Sequence, residues 1–324
     1  MTKMKIFGKE FKLFNLTLEG KGVKNEPEGP KNLKNFFVSY FRKFNKLVTV
    51  NIFMVLGNFP FLFALLALSG NLNNHFSVPA NSVYTVIDGV MPSGNSPVLS
   101  ALDGVFGAYG DLSMPTLATN IFWVLSLLVI FTFGLVNVGT SYILRNMVKG
   151  EPIFMWSDFW YAIKRNWKQG LILGILDIVF MFVIAYDILF FYYNIGSFLA
   201  NVSFWFSLFL AVLYIFMRYY MYIVMVTFEL SIFKILKNAV IFALLGFKRN
   251  IMALLGTVLV LFITGGLFSV FVPLGVIIPF TIMFSTCSYM GAYAAFPKIK
   301  QYMIDPYYVE EEPDDTEAIF KDRG

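Results

Sequence analysis

Charge and metal-binding chemistry are what this sequence has least of. Only 14% of its 324 residues are charged, against about 25% in soluble domains, while 58% are hydrophobic and 19% aromatic. A soluble fold of this length needs a polar exterior, and long stretches here hold no charge with which to build one. One cysteine, Cys287, excludes an intramolecular disulfide, and one histidine, His75, excludes a His-rich metal centre. The Gly20–Pro27 stretch "GKGVKNEP" is basic but lacks the Gly-Lys-Ser/Thr ending of a phosphate loop. No His-Glu metal motif, no pair of aspartates at a working separation and no nucleophile beside a base is legible. The chain therefore reads as not an enzyme, with no catalytic residues, no metal ligands and no cofactor. Some forty-six mostly polar residues precede the first apolar run, whereas a secretory signal has its apolar core within about the first 15–30. The first span is expected to stay in the mature protein.

What the sequence does have is apolar runs of membrane length, with at most two charges in any one, at about 47–69, 117–143, 170–192, 198–222, 251–272 and 274–296. Hydrocarbon offers the backbone no hydrogen-bond partner, so runs of about 20 apolar residues imply helices. The fold class expected is all-α: a polytopic membrane protein of about six transmembrane helices, arranged as three hairpins with cytoplasmic interfacial amphipathic helices. Residues 1–34 read as a basic cytoplasmic arm, 35–304 as the membrane domain with an outside loop at 70–116, and 305–324 as an acidic tail containing "EEEPDD".

Orientation follows from where the cations lie. No Lys or Arg occurs between Lys46 and Arg145, between Lys168 and Arg218, or between Arg249 and Lys298. Each gap holds two spans and their connection, so the basic segments fall on one side, which the retention of positive charge makes the cytoplasm. Both termini are then inside. The triplet Lys-Arg-Asn occurs twice, at Lys164 and Lys248, each time at the start of a span and behind an amphipathic segment. In 157–168, Trp156, Trp160, Ile163 and Trp167 share a helical face opposite Asp158, Arg165 and Lys168, with Ser157 as N-cap. In 231–245, Ser231 caps and Lys234, Lys237 and Asn238 form the polar stripe. A weaker copy at 35–46 places Phe37, Tyr40, Phe41 and Phe44 on one face. These read either as three related units or as the basic flanks that any inside-starting span acquires.

The stretches "GKGVKNEP", "RKFNKLVTVNIFMVLGNFP", "GLVNVGTSYILRNMVKGE" and "FMWSDFWYAIKRNWKQG" resemble the YesL-like family of bacterial multi-pass membrane proteins of unknown function. The resemblance covers most of residues 20–255 and is most specific from Gly139 to Gly170. Its pattern falls on Asn51, Pro60, Gly139, Thr140, Tyr142, Gly150, Glu151, Asp158, Phe159 and Asn166. It implies about six spans in a bacterial cytoplasmic membrane and association with carbohydrate uptake and glycan degradation, with no known catalytic residues. The family's shorter members join the first two spans by a brief turn, so loop 70–116, with Asp88, Asp103 and Asp111, departs from it.

Charges inside a bilayer are functional candidates. Asp177 in the third span and Arg218 in the fourth, antiparallel to it, are expected to meet at similar depth, either as a register-fixing pair or in a substrate or proton path. Asp187 lies nearer the outer end, and Glu229 is expected on the cytoplasmic side. Helix breaks are expected at Gly57 with Pro60, at Gly265 with Gly266 and at Pro279, and Gly170 with Gly174 offers a close helix contact within the chain or between copies. His75 is expected to be an exposed loop histidine, with no catalytic partner legible in the sequence, and Cys287 a packing residue. The expected partners are the anionic inner leaflet, drawn to the eleven cations of residues 1–46, and a sugar transporter or other membrane protein, not nucleic acid. Two functions follow: an accessory or regulatory component of carbohydrate uptake, or a small-molecule transporter with Asp177 and Arg218 in its path.

Overall fold

A computed structural model describes residues 4–6, 9–11, 29–79, 97–106 and 109–307. Gly20–Pro27, Asp88 and the "EEEPDD" tail lie outside the described residues, as does the side chain of Asp103. Among the described residues, strands are confined to two antiparallel ribbons, β1 (Met4–Ile6) with β2 (Lys9–Phe11), and β3 (Asn74–Pro79) with β4 (Tyr109–Met114). The rest of their regular structure is helical. By length and composition, five helical segments of the described residues suffice to cross a membrane, and a sixth if one bent pair is a single span.

That bent pair is α2 (Phe44–Gly57) with α3 (Pro60–Leu68), which meet at 63°. Pro60 stands in the first turn of α3, where its missing N–H has no helical partner to lose, whereas a continuous helix through it would lose a hydrogen bond and clash with the preceding turn. After a short helix α4 (Pro97–Phe106) and ribbon β3–β4, the chain enters α5 (Leu117–Ser126) and α6 (Val129–Lys149). Thr116 caps α5: its hydroxyl accepts from Thr119 N–H, and the Thr119 hydroxyl accepts from Thr116 N–H. Then come α7 (Met155–Tyr193) and α8 (Phe198–Thr227), followed by α9 (Ile232–Leu245) and α10 (Phe247–Val270). A short α11 (Val272–Ile278) runs through a π-helical turn at Pro279–Met283 into α12 (Phe284–Ile299).

The three segments expected to be amphipathic are helical, with differences of detail. The one before the third span is continuous with it as the first turns of α7, bending at Asn166, whose φ and ψ of −117° and 17° leave the helical range. Ser157 is therefore inside the first turn rather than capping it, and the Asp158 carboxylate accepts the N–H of Phe154 instead (3.0 Å). Ser231 occupies the N-cap of α9 but makes no side-chain capping bond. That helix buries Ile235, Ala239, Phe242 and Ala243, one face at helical spacing, and leaves Lys234 and Lys237 exposed. The helix α1 (Leu33–Arg42) exposes Phe37 and Phe41 and buries Phe36, which stacks on Tyr40 and Tyr289.

The break expected at Gly265 and Gly266 is not there, for α10 runs through both without interruption. Glycine costs a helix about 1 kcal/mol in water, but in hydrocarbon a broken turn leaves unsatisfied backbone groups, a larger penalty. Gly170 and Gly174 meet Gly134 of α6, so their close contact lies within the chain. A Cβ on Gly134 would lie 2.1 Å from the Gly170 carbonyl oxygen and 2.7 Å from Gly174 Cα.

The basic ends of the helices converge. The Lys31 ammonium donates to the Val148 carbonyl (2.6 Å) and Lys43 to that of Met147, placing two cations on the negative end of α6. Arg145 donates to the Val226 carbonyl (2.8 Å) and to Asn146 Oδ1, and Arg165 pairs with Glu229 (3.1 Å). Arg249 donates to the carbonyls of Lys31, Tyr293 and Ala294. The main buried cluster occupies the same half of the molecule, joining Leu47, Val50, Ile143, Leu144, Leu173, Tyr220, Met225, Ile235, Tyr289 and Phe296.

Candidate functional site

Asp177 is wholly enclosed, nine residues beyond Lys168 or about 14 Å along the helix at 1.5 Å per residue. Its partners all come from α8. Arg218 Nε lies 3.0 Å from Oδ1 and 3.2 Å from Oδ2, the Tyr214 hydroxyl donates to Oδ1 (2.6 Å), and the Tyr222 hydroxyl donates to Oδ2 (2.9 Å). Tyr214, Arg218 and Tyr222 are spaced four residues apart, which puts them on one face of a helix. Both carboxylate oxygens are therefore satisfied by charge-assisted bonds, and the ion pair is neutral as a unit. The Arg218 side chain is about a third exposed, and its guanidinium lies over the Phe133 ring of α6, 5.6 Å from the centroid.

The pair expected from sequence is thus formed, and the two tyrosines are what sequence reading missed. Their four-residue spacing about Arg218 was the available signal. Asp187 is not brought to this cluster: it lies ten residues, about 15 Å, farther along α7, half-buried and without a side-chain partner among the described residues. Glu229 pairs with Arg165 at the basic end.

The positions of the YesL-like pattern have local structural tasks. Asn51 is fully buried; its amide donates to the Pro279 carbonyl (2.8 Å) and its oxygen accepts the Ser285 N–H (3.0 Å), so one side chain spans the π-helical turn. In such a turn the i to i−4 ladder slips and backbone groups lose their partners. A Cβ on Gly139 would meet the Phe159 ring at 2.5 Å, and Phe159 is buried against Phe53. The Thr140 hydroxyl donates to the Val136 carbonyl (2.8 Å). Gly150, at φ 80°, ends α6 in the left-handed conformation that glycine adopts without strain. The Asn166 amide donates to the Ala162 carbonyl (3.1 Å) at the bend of α7, and Tyr142 lies under the Arg145 guanidinium. In the second Lys-Arg-Asn triplet, Asn250 is buried between the Tyr220 hydroxyl (2.8 Å) and the Ala243 carbonyl (3.0 Å).

Residues 116–188 match the model of DUF624, described as a protein of unknown function. The matched region spans α5, α6 and most of α7, including Gly134, Gly139–Gly170 and Asp177, and the description attaches no activity to it. No curated protein and no solved structure matches the chain.

His75 is exposed, as expected, and has two partners that the sequence did not show. On the β3–β4 ribbon its Nδ1 lies 2.8 Å from Asp111 Oδ2 and its Nε2 3.3 Å from the Gly70 carbonyl oxygen. Both partners are acceptors, so the doubly protonated imidazolium suits them best. The hydrogen bond to Asp111 first, then that to Gly70, raises its pKa above the ordinary 6.5.

Two clefts open at the basic ends of the helices. One, of about 140 Å³, lies between α1 and the end of α6 and includes Lys31, Arg42 and Lys43. The other, of about 530 Å³, lies between the start of α10 and the end of α12. Asp177 lines neither.

Proposed function

We propose that this protein is a non-enzymatic accessory or regulatory component of the bacterial cytoplasmic membrane that serves carbohydrate uptake or utilisation, with its basic end in the cytoplasm. The observation that carries the reading is the enclosure of Asp177 in its ion pair with Arg218. Asp177 has no accessible surface, and both its oxygens are bound by Arg218, Tyr214 and Tyr222. A carboxylate that takes up substrate or protons needs a route to water, and this one is sealed between α7 and α8. The carbohydrate setting is supported by the YesL-like resemblance, and the orientation by the charge pattern. A membrane-embedded partner, such as a sugar transporter, fits a protein whose helices present apolar faces to lipid.

Reconstitution tests this. Purified protein in liposomes is expected to give no uptake of labelled mono- and oligosaccharides above protein-free liposomes, while deleting its gene lowers sugar uptake by cells. Saturable uptake that disappears in Asp177→Asn would defeat the proposal and make the protein a transporter.

A further inference from the structure

The larger cleft combines two chemistries. One side is cationic: Lys248 and Arg249 at the start of α10, and Lys298 near the end of α12. The other is apolar, with Leu245 and Phe247 each about half exposed, and Pro297 beside them. Among the described residues no acidic side chain lines it. Arg249 is held by three backbone carbonyls, which orient the guanidinium without neutralising it. Lys298 gives one hydrogen to Gln301 Oε1 (3.0 Å), keeping two N–H donors, and the Lys248 side chain is exposed with no partner among the described residues. The α10 N-terminus adds its positive dipole end to the same rim. At about 530 Å³ the cleft lies within the range of small-ligand sites.

We propose that this groove binds the phosphate of an anionic glycerophospholipid, with Lys248 and Lys298 on the phosphate and an acyl chain against Leu245 and Phe247. Three uncompensated cations select an anion. The apolar wall distinguishes a lipid from a soluble phosphate, which gains nothing from it. On the orientation proposed above, on which this step rests, the groove is also at the right level, since it lies at the start of α10 and the end of α12. Basic pockets between spans on the cytoplasmic side are where anionic headgroups bind in membrane proteins generally.

The test is native mass spectrometry of the full chain titrated with phosphatidylglycerol, with phosphatidylcholine of the same acyl chains and with glycerol 1-phosphate. One tight phosphatidylglycerol site is expected, without a counterpart for phosphatidylcholine. Each cation near an anionic headgroup is worth about a fivefold factor, so Lys248→Gln should weaken that site about fivefold and Lys248→Gln with Lys298→Gln roughly thirtyfold. Lys164→Gln with Lys168→Gln, which removes two exposed cations, one in the other triplet and one just after it, should leave it unchanged. The proposal is overturned if the double variant binds phosphatidylglycerol as the parent does, if the control pair weakens the site equally, or if glycerol 1-phosphate binds as tightly as the lipid.

Discussion

Asp177 illustrates what a single charged residue demands when its surroundings are apolar. Burying a carboxylate costs several kcal/mol unless a countercharge and further donors replace its water, and here Arg218, Tyr214 and Tyr222 replace it. Removing the negative charge alone strands the guanidinium. Asp177→Asn is accordingly expected to destabilise the protein by about 3 kcal/mol, the low end for a broken buried pair because Arg218 is partly exposed. Adding Arg218→Gln should restore part of the loss, because no unpaired charge remains. Melting of the three variants in detergent measures both effects, and a double variant no more stable than Asp177→Asn would refute the account. The pairing itself was legible in the sequence, since antiparallel spans of known direction bring residues at similar depth together. The role of Asn51 was not, because its partners Pro279 and Ser285 lie more than 220 residues away and no local pattern joins them.

Among the elements, α6 and α7 approach most closely, and they do so through glycine. Gly134, Gly170 and Gly174 bring backbone onto backbone, a contact that no larger side chain allows. Gly134→Val therefore forces the helices apart, and a cost of more than the roughly 1–3 kcal/mol of ordinary overpacking is expected, because the clashing atoms are main chain. The same substitution at Gly265, where an added Cβ meets nothing within 4 Å, should cost far less. Comparing the two melting temperatures tests the seam. The sequence shows small residues but not which helix they face, which is why Gly170 and Gly174 were readable as a contact and Gly134 was not. The β3–β4 ribbon makes a different prediction. A histidine whose folded pKa is raised stabilises the fold fully below its unfolded pKa of about 6.5, and that contribution is lost as pH rises through the higher folded value. Amide exchange of Asn74–Val78, corrected for intrinsic rates, should show protection falling as pH rises above the ordinary histidine value of about 6.5. His75→Gln should abolish that pH dependence, and an unchanged profile would remove His75 as its source.

At the scale of the whole molecule, composition and the spacing of cations carry most of the argument. Long apolar runs have no stable place in water, so the spans were readable without any knowledge of their packing. The interior of the bundle was less readable: which aromatic of α1 turns inward, and which lysines close the end of α6, depend on helices far apart in sequence. The structure ties the basic ends of the helices to one another through Lys31, Lys43, Arg145, Arg165 and Arg249, with Lys43 and Arg145 buried among them. If that end faces the cytoplasm, as we propose from the retention of positive charge, its exposed residues are closed to reagents outside the cell, whereas those of the β3–β4 ribbon are open to them. In a Cys287→Ser background, cysteine at position 164 or 248 should resist a membrane-impermeant maleimide in intact cells and react after permeabilisation. Cysteine in place of Ser113 on the ribbon, or of Asn194 in the turn between α7 and α8, should react in both conditions. Reaction at 164 or 248 in intact cells would invert the arrangement, and the basic groove would then face the outer leaflet rather than the inner one.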